Sequence, residues 1–261
     1  MELHPLFGPS LPEKGWVPAP SFLLRRDRIL RQMASWEPGA LLEVGCGAGS
    51  LLFEFALRGY SCEALETSEP ALRVARELSG TLVQFHREPQ SDWQGRFDYL
   101  FAFEVLEHIE DDRRALAQWH SWLRPGGMML ISVPAHMRKW TASDIWAGHY
   151  RRYEQDDLAA LITQTGFVIR HIETYGFPLA NILSPLRARA HSRGLERRRR
   201  EQADHREHNN QMSGVQRSLE SRLYPFLTSL PGRWSMQMAC FLQDLAAGRD
   251  WGTGYLVAAR R

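Results

Sequence analysis

Leu41-Leu42-Glu43-Val44-Gly45-Cys46-Gly47-Ala48-Gly49-Ser50-Leu51-Leu52, residues 41–52, decides the fold. ALLEV at 40–44 has the length and apolarity of a short buried strand. GCGAG at 45–49 breaks it, and SLLFEFALRGY resumes as a helix that stops near Gly59. A doubly wound sheet binds ligands at this place, the carboxyl end of its first strand. Glycines at 45, 47 and 49 let backbone approach a ligand closely, and the helix that follows presents free N–H groups. A dinucleotide fingerprint would need glycine at 50, which is Ser50, and no Gly-Lys-Ser/Thr phosphate loop is present. Glu66 closes a second strand, CEALE at 62–66, 21 residues after Gly45. An acid there can accept both ribose hydroxyls of a nucleoside. The bland alternative is a glycine turn with a surface glutamate, and Glu66 in register argues against it.

Outward from this unit the chain keeps the same rhythm. TLVQF at 81–85, FDYLFAF at 97–103, MMLISVP at 128–134, FVIRHIETYG at 167–176 and GYLVAAR at 254–260 read as further strands. Helices are expected over 22–36, 69–79 (opened by Ser68 as N-cap), 111–122 and 154–165. Strands alternating with helices indicate an α/β fold with right-handed crossovers. Residues 1–21, rich in proline, are expected to form an irregular N-terminal arm, and 178–250 a helical insertion before the last strand, within a single domain spanning 1–261.

Composition is that of an ordinary globular chain: 261 residues, 44% hydrophobic, 24% charged and a formal net charge of +2. That balance excludes wholesale disorder and a strongly basic nucleic-acid protein. Cys46, Cys62 and Cys240 form no CxxC pair, so neither a zinc knuckle nor a disulfide framework is expected. The first residues lack a basic and an apolar region, and no apolar run approaches a membrane span, so a cytoplasmic location is expected.

The sequence resembles the class I S-adenosylmethionine-dependent methyltransferases, especially the small-molecule branch that includes the ubiquinone O-methyltransferases. LLEVGCGAGSLL is similar to their first motif and CEALETSEPAL to their second. FDYLFAFEVLEHIEDD with WLRPGGMMLISVP is similar to their fourth and fifth strands and the connecting helix. The resemblance implies a Rossmann-like seven-stranded sheet of order 3-2-1-4-5-7-6 with the last strand antiparallel. It implies S-adenosylmethionine as cofactor and S-adenosylhomocysteine as product. Carried over residue by residue, it implies a cofactor site of Glu43, the loop Gly45, Cys46, Gly47 and Gly49, the ribose acid Glu66, and Phe103 and Glu104 beside the methionine part. Glu88 falls near the adenine position, in an irregular stretch. Arg25 lies about where related enzymes offer an arginine to the cofactor carboxylate, with Arg26 and Arg28 competing for that match.

Methyl transfer needs an aligned nucleophile, and a base only where the acceptor must lose a proton. His108, His136 and His149 all fall near the carboxyl edge of the sheet and are the candidate bases; fixing loop geometry is the alternative for each. Glu104, Glu107 and His108 have no strong metal-ligand spacing, and no metal is expected, although some methyltransferases of this fold use magnesium with catechols. Arg151 and Arg152 could bind an anionic substrate or brace their loop against Asp156 or Asp157; bracing is preferred. Arg187, Arg189, Arg193, Arg197, Arg198, Arg199, Arg200 and Arg206 form a basic run, without aromatics for base stacking. It is a solvated helix or mobile lid, or a site for phosphates, nucleic acid or an anionic membrane surface.

Two apolar stripes follow, Leu219, Leu223, Phe226, Leu227 and Leu230, then Met236, Met238, Phe241, Leu242 and Leu245. They read as core or, with Trp16, Trp140, Trp146 and Trp251, as a roof over an aromatic or lipid-like acceptor. The expected activity is methyl transfer to a small molecule, oxygen first and nitrogen or carbon after. An RNA or protein methyltransferase is the rival, disfavoured because FEVLEH and no NPPY-type motif follows the fourth strand. A scaffold that keeps the fold without cofactor is the rival from another class. No nucleic-acid partner is expected.

Overall fold

In the computed structural model, residues 4–199 and 218–261 are described. Those residues form a seven-stranded sheet of order β3-β2-β1-β4-β5-β7-β6. The strands are β1 (Ala40–Val44), β2 (Ser61–Leu65), β3 (Val83–His86), β4 (Phe97–Phe103), β5 (Leu123–Pro134), β6 (Val168–Tyr175) and β7 (Gly254–Arg260). β1 pairs in parallel with β2 and β4, β2 with β3, and β4 with β5. β7 runs antiparallel between β5 and β6, with Ser132 opposite Leu256 and Tyr175 opposite Gly254. The expected sheet order and the antiparallel last strand are therefore present.

The helices are α1 (Pro20–Gln32), α2 (Ser50–Leu57), α3 (Glu69–Ser79), α4 (Asp112–Trp122), α5 (Ala142–Ala147), α6 (Gln155–Gln164), α7 (Leu179–Arg199), α8 (Ser218–Thr228) and α9 (Leu230–Ala246). The last three stand between β6 and β7. Ser68 caps α3 by accepting from the Ala71 N–H at 3.2 Å. α1 begins two residues earlier than expected because Pro20 takes its first position, and ends sooner, at Gln32. Past that end Trp36 stacks on Tyr99 with ring centroids 5.3 Å apart, tying the chain to the sheet instead of extending the helix. β5 begins earlier than expected, since Leu123 already pairs with Phe97 ahead of the Pro-Gly-Gly turn.

Both faces of the sheet are covered, which is why its central strands are apolar throughout. On β4, Phe97, Leu100 and Ala102 pack with Trp119 and Trp122 of α4, while Phe101 and Phe103 pack with Ile29 of α1 and Phe55 of α2. Truncating a buried aromatic of this kind costs about 3–5 kcal/mol. The N-terminal arm is irregular but pinned: Phe7, Trp16 and Val17 are buried, and Phe7 packs with Leu23, Leu24, Met236 and Cys240.

Two buried ion pairs fix α1. Arg26 grips Glu54 of α2 with Nε and Nη2, both at 2.7 Å. Arg28 grips Glu173 of β6 at 2.9 and 2.6 Å and reaches Asp244 of α9 at 2.5 Å. Bidentate guanidinium–carboxylate geometry satisfies both partners at once. Gln243 of α9 adds a bridge, donating to the Leu24 carbonyl at 2.9 Å and accepting from the Gly176 N–H at 2.7 Å.

Candidate active site

The site is built at the carboxyl ends of β1, β2 and β4. β1 ends in Glu43-Val44, and the chain then turns through Gly45 and Gly47 at φ 67° and 55°. Such angles are costly for any residue with a Cβ. A Cβ at Gly45 would come within 2.5 Å of Val105, so that residue must also be small for space. A Cβ at Gly47 would meet nothing within 4 Å, so the loop there faces open space. Glu66 closes against the loop, accepting from the N–H of Gly47 and of Ser68, both at 2.8 Å. Burial raises the Glu66 pKa above the usual carboxylate range despite those donors.

Two buried groups on the same edge have atoms without partners, Glu43 Oε2 and Arg25 Nε. Burial lifts the Glu43 pKa to about 8, partly offset by Arg25. Burial and the neighbouring Glu43 also push the Cys46 thiol well up, so it stays protonated and unreactive. With Arg26 and Arg28 consumed in ion pairs, Arg25 is the arginine of α1 turned to this edge, 3.6 Å from Glu104. Glu104, at φ 58°, is held there by Tyr175 Oη at 2.6 Å and Ser132 Oγ at 3.1 Å. A non-glycine residue in that conformation is strained, and such strain gathers at functional sites. Phe103 beside it is buried on the α1–α2 face. Glu88 is exposed just past β3, its carbonyl accepting from Gln90 at 2.7 Å.

Beyond Glu104 lies a second group. Glu107 is 0% exposed and neither of its carboxyl oxygens makes a hydrogen bond among the described residues. Burial, then the nearby Glu104, raise its pKa well above the carboxylate range. His149 Nε2 lies 3.8 Å and His108 Nε2 4.0 Å from Glu107 Oε1, and the two imidazoles meet edge to face at 4.7 Å. His149 Nδ1 stands 3.0 Å from Asp144 Oδ1, a pairing that puts a proton on Nδ1 and turns Nε2 toward Glu107. Asp144 is buried, but the hydrogen bonds from His149 and Arg152 outweigh that burial and hold its carboxylate ionised. Ligand atoms of Glu107, His108 and His149 lie within 4.8 Å of one another, close enough to hold one cation. Asp144 behind His149 is the usual support for a metal-bound imidazole.

His136 is placed apart from that group. Its buried ring lies between Glu154 and Asp250, at 3.2 Å from each, and against Tyr255. Both loop arginines brace, but against partners other than Asp156 and Asp157. Arg151 reaches Asp112 at 2.5 Å and Arg152 reaches Asp144 at 2.8 Å, because the loop closes over α4 and α5. In the basic run, Arg187 contacts Ser21 and Glu220, and Arg189 and Arg193 are exposed; Arg200 and Arg206 lie outside the described residues, as do the side chains of Arg197, Arg198 and Arg199. Tyr175 and Ser132 were not singled out in the sequence. For Tyr175 the available signal was its place at the end of a strand before Gly176, and a Cβ on Gly254 would fall 2.4 Å from its ring.

Residues 22–172 match the family described as Methyltransferase domain. The ubiquinone biosynthesis O-methyltransferase of Azotobacter vinelandii is 35% identical over 100 residues, 36% of this chain and 43% of that protein. The chain thus aligns with less than half the length of that curated relative. Among solved structures, an S-adenosylmethionine-dependent methyltransferase from Mesorhizobium loti superposes with TM-score 0.56 at 19% identity, over 93% of this chain and 98% of that one. Phosphoethanolamine N-methyltransferase 2 of Haemonchus contortus, in complex with S-adenosyl-L-methionine, gives TM-score 0.55 at 18% identity over 91% and 52%. At such identities the likeness is one of fold.

Proposed function

The chain belongs to the methyltransferase-domain family, whose cofactor is S-adenosylmethionine, and from that premise we propose that it methylates a small molecule, on oxygen first. The observation that carries the reading is the open space over Gly47 beside the Glu66 carboxylate, with Arg25 and Glu43 holding buried atoms without hydrogen bonds on the same edge. These residues suit a cofactor that is nucleoside at one end and amino acid at the other. Glu66 is assigned to the ribose hydroxyls, Arg25 to the carboxylate, Glu43 and the loop Gly45, Cys46, Gly47 and Gly49 to the floor, Phe103 and Glu104 to the methionine side and Glu88 to the adenine rim. The bound cofactor supplies an activated methyl that leaves as the sulfonium becomes a neutral thioether.

The chain's own part is proton handling and alignment. In this reading His149 Nε2 takes the acceptor hydroxyl proton while Asp144 holds the ring and balances the imidazolium. Glu107 flanks the same nitrogen, and His108 walls that side. His136, clamped between two carboxylates, is given a loop-fixing role. The insertion of α7, α8 and α9 borders the acceptor side. A second reading has one observation of its own, the three convergent ligand atoms of Glu107, His108 and His149. A divalent cation there would ionise Glu107 and polarise the acceptor oxygen.

Calorimetry with S-adenosylmethionine and S-adenosylhomocysteine, then methyl-labelled cofactor with a panel of phenols, catechols, amines and RNA, tests the proposal. Binding followed by label on an oxygen is expected. No cofactor binding by folded protein, or label appearing in RNA or protein, overturns it. Loss of turnover with a chelator, restored by a divalent ion, selects the cation reading over the histidine base.

A further inference from the structure

α9 is apolar on two opposite sides. One side, with Met236, Ala239 and Cys240, is buried against Leu23, Leu24 and Phe7. The other carries Leu230, Trp234, Met238, Phe241 and Leu245, each more than half exposed. At 3.6 residues per turn these five fall within about 80° of one another around the axis. Phe226 on α8, the helix just before α9, is also 63% exposed. Isolated exposed apolar residues are ordinary, but a contiguous stripe topped by tryptophan and two phenylalanines marks an interaction surface.

The charge around the stripe is one-sided. Asp244 on α9 is held by Arg28, and Glu220 on α8 by Arg187. Arg222 and Arg233 are exposed and make no ion pair among the described residues. The excess is therefore positive. The chain's own residues 200–217 do not suit the stripe, since REQADHREHNNQMSGVQR holds only Ala203, Met212 and Val215 as apolar side chains. A second copy docked by the same patch would oppose arginine to arginine. No helix among the described residues is long and apolar enough to cross a membrane. A helix with an exposed face of aromatic and leucine residues, with Arg233 on it and Arg222 on the neighbouring helix, suits the plane of an anionic lipid surface.

We propose that α9, with Phe226 of α8, is a docking face for the surface of an anionic lipid bilayer. The inference does not depend on the methyl-transfer reading.

The test is co-sedimentation of the full chain with vesicles of phosphatidylcholine containing about 30% phosphatidylglycerol, against vesicles of phosphatidylcholine alone. Retention on the anionic vesicles that weakens with salt is expected. The Trp234→Ser/Phe241→Ser double variant should lower that retention about tenfold or more, and Arg222→Ala/Arg233→Ala should lower it on anionic vesicles alone. Unchanged thermal unfolding and S-adenosylhomocysteine affinity show the variants intact, and Leu245→Glu serves as an independent replacement. No retention, equal retention on both vesicles or full retention by the serine double variant overturns the proposal. A wild-type dimer in analytical ultracentrifugation that the same variant dissolves also overturns it, assigning the face to a second copy.

Discussion

The ends of β1, β2 and β4 and the outer face of α9 are unfinished in opposite ways. At the strand ends, Glu43 Oε2, Arg25 Nε and both Glu107 oxygens are buried without hydrogen bonds, while most apolar groups of β1, β2 and β4 are packed. On α9 the acidic group is paired and the apolar groups are bare. An unmet buried polar atom costs about 1–3 kcal/mol. Exposed apolar area costs roughly 25 cal/mol per Å² against burial. Each deficit describes its ligand: a compact polar molecule in one region, a broad apolar surface in the other.

The contrast breaks most sharply at Gly47. Gly47→Arg projects a side chain into the open space over the loop, and S-adenosylmethionine binding should weaken beyond about 100-fold by calorimetry. Retained binding would mean this loop is not the cofactor floor. Arg26→Leu leaves the buried Glu54 carboxylate with Arg58 alone of its two arginine partners, and chemical unfolding should show a loss of about 3 kcal/mol. Asp144→Asn should lower kcat about 10²- to 10⁴-fold with cofactor affinity unchanged, because His149 loses its orienting acceptor.

Glu43 sharpens the comparison through pH. Its folded pKa, about 8, lies above the ordinary 4.5, so the folded chain holds the proton more tightly than the unfolded one. That contribution is complete below 4.5 and is lost as pH rises toward 8, so ligand-free stability should fall across this window. Glu43→Gln should flatten part of the slope in denaturant titrations at several pH values; Glu66 and Glu107 act with the same sign. The smallest effect belongs to the other region: without vesicles, Leu245→Ser should shift unfolding by no more than about 0.5 kcal/mol.

The glycine loop, Glu66 and the alternation of strands with helices were legible because they depend on local backbone demands and on a recurrent rhythm, whereas the sheet order with its antiparallel last strand came from the family resemblance. The choice among Arg25, Arg26 and Arg28 was not, because three near neighbours on one helix are separated only by its rotation against α2 and β6. Tyr175 escaped because its approach to Glu104 requires β7 to stand between β5 and β6, a pairing remote in sequence. The braces of Arg151 and Arg152 depend on a loop closure that brings Asp112 and Asp144 nearer than Asp156. The stripe of α9 was visible as apolar, yet spacing says nothing about which of two apolar sides is covered.

The place of β7 has a consequence for synthesis. β5 and β6 leave the ribosome before the strand that separates them, with the whole insertion made in between. Until residues 254–260 emerge, each of those strands has an open edge, the kind of surface that recruits other nascent chains. A translation stop anywhere in the insertion therefore releases a polypeptide with both edges bare, and such products should accumulate as insoluble aggregates rather than as shortened, folded protein.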